Sequence, residues 1–229
     1  MDPRAGCERG RSILLRRPAV DLPRLHLVAT REIVESPGFL DQARVLLLEG
    51  GSRLALHLRA SDLPGRRVHE LAVRLQALSS EAGSVLFVND RVDIALACGA
   101  RGVQLGGRSL PVSIVRGMAG DLIIGASVHD PAHATVAAAN GADFLVAGTL
   151  WPSGSHPGRP GQGNDWLREL AVLGIPVIGI GGVSRARAGR LRREGVYGAA
   201  VVSGVWNASA PIDAVRGLLK VLDEEVSDE

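Results

Sequence analysis

The sequence predicts an α/β fold in the form of a single (β/α)8 TIM barrel. Short apolar strands alternate with amphipathic helices eight times along 229 residues, and no change of composition separates the repeats. Such strands indicate a parallel sheet covered on its outer face, and eight units in roughly 200 residues suit a small closed barrel. The alternative is an open doubly wound sheet, which is disfavoured because glycine pairs recur late and no G-x-G-x-x-G opens the chain.

Each predicted strand is a short run of apolar residues that ends in small or polar side chains. Runs of this kind, bounded by turn-forming residues, are typical of buried strands. Arg59 closes the second strand, and Asn89 and Asp90 follow the third. Strands are predicted at residues 25–30, 54–59, 84–88, 102–105, 122–126, 144–148, 177–180 and 199–202.

The predicted helices lie between the strands and carry recognisable start signals. Asp130 is a suitable N-cap with Pro131 at the first helical position, and Ser184 is a second N-cap. Helices are predicted at residues 37–49, 68–80, 92–98, 111–118, 131–139, 165–172, 184–194 and 211–222.

One barrel domain is therefore expected over residues 23–222. Residues 1–22 are rich in Arg, Pro and Gly and are expected to form a flexible extension, and residues 223–229 an acidic tail. The polar loop at residues 151–163 is long for such a compact chain. Its length favours a lid over the barrel mouth rather than an irregular surface loop.

Composition excludes several classes of partner. The net charge is only +2 and the basic residues are dispersed, so nucleic-acid binding is not expected. No apolar run is long enough to cross a membrane, and two isolated cysteines suit a reducing cytoplasm. Lys220 is the only lysine, which leaves none in the barrel interior for a Schiff base. Exposed helices rich in Ala and Val would permit a homodimer.

Glycine-rich turns follow the seventh and eighth strands and suggest a phosphate site. Active sites of (β/α)8 barrels lie at the carboxyl ends of the strands, and a phosphate is often held after the last two. Gly181, Gly182, Ser203 and Gly204 occupy these positions, where backbone N–H groups can cradle an anion. The alternative is that glycine only permits tight turns there.

Polar residues at other strand ends are candidates for substrate contacts. Arg59 needs an acid or a ligand as partner if it is buried. Asn89 and Asp90 could hold Mg²⁺ or could bond Arg59, although one carboxylate alone makes a weak Mg²⁺ site. Thr149 after the sixth strand and His156 in the 151–163 loop complete the expected substrate-binding set.

Ser127 and His129 follow the fifth predicted strand and are the candidate catalytic pair. They lie two residues apart, so in extended chain they point to the same side. Gly125 and Ala126 are small, which allows a close approach to the backbone. The pair could equally well satisfy backbone groups at the strand end, and the residues alone leave both readings open.

The chain resembles the thiamine phosphate synthase/TenI superfamily over about residues 24–222. The resemblance is carried by the following segments taken together and in order: LHLVAT from Leu25, LHLR from Leu56, VNDRVD from Val88, GVQLG from Gly102, SVH from Ser127, GIGGV from Gly179 and VVSG from Val201.

The superfamily implies two main activities. Its synthases join a pyrimidine pyrophosphate to a thiazole phosphate with Mg²⁺, and they resemble this chain at Arg59, Asn89 and Asp90. Their pyrophosphate-binding lysines are absent here, and Ser109 lies in the segment where they carry a second metal-binding Asp. TenI-type tautomerases lack that equipment and carry a Ser-Val-His like that of Ser127 and His129.

The resemblance therefore implies a thiazole tautomerase, an isomerase that moves a proton on a phosphorylated thiazole without metal or other cofactor. His129 would act as general acid/base because its ordinary pKa suits neutral pH, with Ser127 as a substrate hydrogen-bond partner. Two alternatives stay open: a divergent, Mg²⁺-dependent synthase with Asp90 on the metal, and a non-catalytic regulator that binds a phosphorylated ligand.

Overall fold

The structure is a computed structural model that describes residues 21–152 and 161–224. Most of the predicted extension at residues 1–22 and of the acidic tail at 223–229 lies outside these ranges. His156 and the central part of the 151–163 loop do so as well, so the expected lid lies outside the described residues.

Eight parallel strands form a closed barrel in chain order, with β1 hydrogen-bonded to both β2 and β8. This confirms the predicted fold and excludes the open sheet, whose edge strands could not pair. The strands are β1 (Leu25–Thr30), β2 (Leu54–Arg59), β3 (Val85–Asn89), β4 (Gly102–Leu105), β5 (Ile123–Val128), β6 (Phe144–Ala147), β7 (Val177–Ile180) and β8 (Gly198–Val201).

Helices cover the outside of the barrel. Two short helices follow β1 and β8 and were not predicted, and the segment predicted as a helix at 165–172 is a 3₁₀ helix, Asp165–Leu173. The α-helices are α1 (Arg31–Val34), α2 (Phe39–Gly50), α3 (Gly65–Ala82), α4 (Val92–Cys98), α5 (Val112–Met118), α6 (Pro131–Ala139), α7 (Arg185–Arg193), α8 (Ser203–Trp206) and α9 (Pro211–Asp223).

The apolar core has two layers, because alternate strand residues face the helices and the barrel interior. The outer layer joins the strands to the helices. The inner layer is smaller and includes Val28, Phe87, Ile123 and Phe144. Leu22, at the end of the predicted extension, is buried in this inner layer, and its carbonyl accepts a 2.5 Å hydrogen bond from Tyr197.

The fifth strand differs from its prediction in a way that matters for the site. It runs to Val128, and Ser127 and Val128 pair with Val146 and Ala147 of β6. Ser127 therefore lies within the strand, whereas His129 lies beyond its end. None of the helices described between residues 21 and 224 is long and apolar enough to cross a membrane.

Candidate active site

The Asp90 carboxylate ties together three loops at the carboxyl ends of neighbouring strands. Its Oδ2 accepts a hydrogen bond of 3.1 Å from Ser61, after β2. Its Oδ1 accepts bonds from the Ser109 hydroxyl and, at 3.2 Å, from the Gly106 amide, both after β4. The Gly106 amide also lies 2.7 Å from Ser109 Oγ. Asp90 is therefore held at the barrel mouth by two hydroxyl groups and one amide.

The backbone of Asp90 explains how its carboxylate reaches these groups. Asp90 has a φ of 63°, in the left-handed region, which Asp tolerates better than most residues. Its amide donates a 2.9 Å bond to the carbonyl of Gln104, so the turn after β3 is attached to β4. This turn places the carboxylate between the loops that follow β2 and β4.

Arg59 ends β2 with an exposed side chain and does not pair with Asp90. Of the two alternatives predicted for Asp90, a bond to Arg59 is therefore wrong, because two serines bond the carboxylate oxygens. Within residues 21–152 and 161–224, Arg59 makes no ion pair or side-chain hydrogen bond. Its guanidinium is consequently available to an anionic ligand.

Ser127 contacts Gln104, which lies on the predicted fourth strand but was not predicted to be a site residue. Gln104 is 3% exposed and its Nε2 donates a 3.0 Å hydrogen bond to Ser127 Oγ. Gly125 makes room for this amide, since a Cβ at that position would lie 2.2 Å from Gln104 Oε1. The small residue expected to allow a close approach therefore accommodates a neighbouring side chain.

His129 lies one residue beyond the end of β5 and has a different hydrogen-bond partner from Ser127. Its ring is exposed, and Nδ1 lies 2.5 Å from the Gly148 carbonyl after β6. A ring nitrogen that donates to a backbone carbonyl is a common means of orienting His. The next residue, Asp130, is the predicted N-cap and accepts a 2.8 Å bond from the His133 amide.

The Gly181–Gly182 turn packs directly on the residues that follow β6. Both glycines have positive φ, 100° and 63°. A Cβ on Gly181 would lie 2.5 Å from Thr149 Cγ2, and one on Gly182 would lie 2.6 Å from the Pro152 carbonyl oxygen. Thr149, predicted as a substrate contact, therefore borders this turn. Both conformation and space require glycine here.

Ser203 and Gly204 form the first turn of α8, where helix N–H groups have no partner within the helix. They follow β8, which pairs with β7, so the two predicted halves of the phosphate cradle lie on adjacent strands. The arrangement provides backbone donors suited to an anion.

Arg187 is a basic residue beside this turn that sequence reasoning missed. Its Nη1 donates a 2.6 Å hydrogen bond to the Gly182 carbonyl, and its guanidinium lies 5.0 Å from the centre of the Trp151 ring. The N-cap at Ser184 could have indicated it, because Arg187 is the residue whose amide that cap accepts. A cation therefore stands next to the predicted phosphate site.

Two buried histidines lie below the mouth, inside the barrel. His26 Nδ1 lies 2.7 Å from His57 Nε2, and His26 Nε2 lies 2.8 Å from the Pro23 carbonyl oxygen. Burial lowers the pKa of His26 to about 4. Burial, and secondarily the neighbouring His26, hold the pKa of His57 well below its ordinary value, while a hydrogen bond with Asn89 opposes that shift. Both rings are therefore neutral at pH 7.

These features define a class: a (β/α)8 barrel whose mouth combines paired glycine turns, a free arginine and one hydroxyl-bound carboxylate. The sequence matches the family described as thiamine monophosphate synthase over residues 25–205. The chain belongs to this family, which confirms the superfamily resemblance.

Similar proteins cover nearly the whole chain. A thiamine-phosphate synthase of Pyrococcus horikoshii is 36% identical over 88% of this chain and 95% of its own length. One from Desulfitobacterium hafniense is 37% identical over 85% and 95%. The solved structure of the thiamine phosphate pyrophosphorylase of Pyrococcus furiosus has a TM-score of 0.76 at 33% identity, over 87% of this chain and 95% of that one.

These relatives correct the functional prediction. The expected tautomerase, an isomerase, is wrong, because relatives this similar over most of their length are named synthases, which are transferases. The catalytic roles assigned to Ser127 and His129 stay predictions.

Proposed function

We propose that this chain is a thiamine-phosphate-synthase-type transferase, which joins a pyrimidine pyrophosphate to a thiazole phosphate and releases pyrophosphate. The observation that carries the proposal is the Asp90 carboxylate, which hydroxyl and amide groups hold at the mouth and which has no basic partner among the described residues. Its charge thus remains available to a cation that accompanies pyrophosphate. The names of the relatives support the same reaction.

The residues around Asp90 suit Mg²⁺ as a partial site. Mg²⁺ takes oxygen ligands and often uses one or two carboxylates together with substrate phosphates. Asp90, Ser61 and Ser109 supply one carboxylate and two hydroxyl oxygens. No group of three or more His, Cys, Asp or Glu side chains among the described residues could hold a metal by itself. Bound there with substrate, Mg²⁺ would neutralise charge on the leaving pyrophosphate.

The remaining mouth residues divide between the two anionic groups. Arg59, which is exposed and has no ion-pair partner within residues 21–152 and 161–224, binds the pyrophosphate from the Asp90 side. The amides of Gly181, Gly182, Ser203 and Gly204 bind the phosphate of the thiazole half, with Arg187 adding positive charge beside them. Two arginines thereby supply positive charge that comes partly from lysine in the synthases that this chain resembles. Arginine can make bidentate contacts with phosphate.

This reaction does not call for the acid/base residue that a tautomerase needs. The thiazole ring nitrogen forms a bond to the pyrimidine methylene carbon as the bond from that carbon to the pyrophosphate oxygen breaks. No proton has to leave the attacking nitrogen. Positioning of the two halves and stabilisation of the leaving group account for catalysis, as is usual when phosphate groups depart.

A direct assay tests the proposal. The purified chain, given a pyrimidine pyrophosphate, a thiazole phosphate and Mg²⁺, is expected to form the coupled product and an equal amount of pyrophosphate. Asp90→Asn and Arg59→Ala should each lower kcat/KM by about 100-fold or more. Asp93→Asn is the matched control, because Asp93 is an exposed carboxylate that pairs with Arg91. Ligand binding with no coupling would refute the proposal and indicate the non-catalytic regulator.

A further inference from the structure

Two backbone hydrogen bonds fasten the glycine turn after β7 to the segment that follows β6. The Leu150 amide donates to the Ile180 carbonyl at 2.9 Å, and the Trp151 amide donates to the Gly181 carbonyl at 3.1 Å. The two segments are also in close contact, since a Cβ on Gly182 would lie 3.0 Å from Trp151 Cβ. The conformation of the turn is therefore linked to the position of Trp151.

Arg187 holds the next carbonyl of the turn with its side chain. Its Nη1 donates a 2.6 Å hydrogen bond to the Gly182 carbonyl, and its guanidinium lies over the Trp151 ring, 5.0 Å from the ring centre. The backbone of Arg187 is fixed as well, because its amide donates to the Ser184 hydroxyl at the start of α7. Arg187 thus joins the turn, the helix that follows it and Trp151.

These carbonyl bonds determine where the amides of the turn are directed. In a trans peptide the C=O and N–H groups point in opposite directions, and the peptides of this turn are trans. Because the carbonyls of Ile180 and Gly181 face the segment after β6, the amides of Gly181 and Gly182 face away from it. β7 lies between β6 and β8, so these amides face the side on which Ser203 begins α8.

The amides of the turn are available to a ligand. Those of Gly181, Gly182 and Val183 donate no hydrogen bond to any group within residues 21–152 and 161–224. Successive N–H groups that converge form a concavity suited to an anion, whereas a carbonyl oxygen turned into the same space would repel it. Anion binding at this turn therefore requires that all its carbonyls stay directed away from the ligand.

We propose that Arg187 is a positioning residue for the phosphate site, which acts by holding the Gly182 carbonyl away from the ligand. The inference rests on the proposed function, in which this turn binds the phosphate of the thiazole half. Gly182 has no side chain to restrict its backbone, so the peptide between Gly182 and Val183 needs an external partner to keep its direction. Arg187 supplies that partner, and the Trp151 ring holds the guanidinium in place.

The first test measures amide hydrogen exchange by NMR in the ligand-free protein. Arg187→Met keeps much of the side-chain length but removes the donor and the charge. The Trp151 amide, which bonds the same turn, should then exchange at least about 10-fold faster than in wild type. Arg193→Met is the control, because Arg193 is an exposed arginine at the far end of α7. A wild-type exchange rate for Trp151 in Arg187→Met would overturn the proposal.

The second test measures the Kd of inorganic phosphate from the shifts of the Gly181 and Gly182 amide signals. Arg187→Met should raise this Kd at least about 10-fold, and Arg193→Met less than about 2-fold. Arg187→Lys, which restores a donor, should stay within about 3-fold of wild type. The Kd of inorganic pyrophosphate with Mg²⁺, which reports the Asp90 side of the mouth, should not change in any variant, whereas a general structural defect would raise both constants.

Lost phosphate affinity with unchanged Trp151 exchange would make Arg187 a direct phosphate ligand and refute the positioning role. If Arg187→Met does not fold, Trp151→Leu decides. It keeps the backbone bond but removes the ring beneath the guanidinium, so both readouts should change by at least about 3-fold, and wild-type values would refute the proposal. Failure of the coupling reaction would leave both readouts intact, because neither depends on turnover.

Discussion

Ser109 gives Asp90 a hydroxyl neighbour where the synthases that this chain resembles have a second carboxylate, and this residue would set the character of the proposed cation site. Ser109 Oγ donates to Asp90 Oδ1 and occupies a position from which a carboxylate could share a metal. With one carboxylate, the site should depend on the substrate pyrophosphate for most of its Mg²⁺ affinity. In the proposed synthase, residue 109 is therefore expected to decide whether the metal binds before the substrate or with it.

Ser109→Asp should strengthen metal binding in the absence of substrate. A second carboxylate beside Asp90 adds a charged ligand and about 10-fold or more in affinity. The measurement is Mn²⁺ binding to the ligand-free protein by electron paramagnetic resonance or calorimetry, with Ser109→Asn as the uncharged control. Identical Mn²⁺ affinities for Ser109→Asp and wild type would mean that residue 109 does not belong to the cation site.

His129→Asn should leave coupling activity within about 10-fold of wild type. The reason is that the His129 ring is exposed, bonds the Gly148 carbonyl and has no contact with Ser127. An Asn side chain can donate a similar bond. Steady-state kinetics of both proteins check this, and a loss of several orders of magnitude in kcat at unchanged KM would restore His129 to the reaction.

Arg116 on α5 connects several elements at the amino end of the barrel, opposite the active site. Its guanidinium donates to the carbonyls of Gly120, Leu122 and Gly141 at 2.7 to 3.1 Å. It also pairs at 2.6 Å with Asp143, whose carboxylate accepts the Ile124 amide of β5. One side chain thus joins α5, β5 and the segment that leads into β6.

Arg116→Lys should lower the free energy of unfolding by about 2 kcal/mol. A lysine keeps the charge but cannot make several directed bonds at once, and the pair is largely buried. Urea unfolding measures the change. Arg44→Lys is the control, because the Arg44–Glu81 pair is exposed and should contribute less than about 0.5 kcal/mol. Equal effects of the two substitutions would argue against this role for Arg116.

The strand pattern predicted the barrel well because burial on both faces leaves a local signature, a short apolar run. The end of β5 was less predictable. Gly125 and Ala126 resemble a strand terminus, but Ser127 and Val128 stay in the sheet because they pair with β6. Pairing between strands is not a local property, so the end of β5 at Val128 could not be foreseen from the residues alone.

The site was predictable in part for a similar reason. The turn at Gly181 and Gly182 could be predicted from the sequence, because a positive φ strongly favours glycine. The bonds between Asp90 and its two serines join positions that are far apart in sequence. The contact between His26 and His57 does so as well. The alternation of β2 did contain a usable signal: His57 shares the inward parity of Ala55 and Arg59, so it faces the barrel interior rather than the surface.

Two buried histidines make the stability of the barrel as a whole sensitive to acid. Folding encloses His26 and His57 among aromatic side chains, where neither can take up a proton without loss of favourable solvation. In the unfolded chain both rings are in water and titrate near their ordinary pKa of 6.5. Protonation therefore favours the unfolded state.

The free energy of unfolding should consequently fall as the pH is lowered from 7 to 4. The pKa of His26 is about 4 when folded and 6.5 when unfolded, so the unfolded state binds more protons throughout this interval and stability rises with pH. His26 alone accounts for about 3 kcal/mol, and His57, whose pKa is also lowered, adds to the loss. Urea unfolding at closely spaced pH values measures the slope. His26→Gln should reduce the dependence of the unfolding free energy on pH. His69→Gln, at an exposed position of α3, should leave it unchanged. If His26→Gln has no effect on this dependence, the acid sensitivity lies outside the barrel interior.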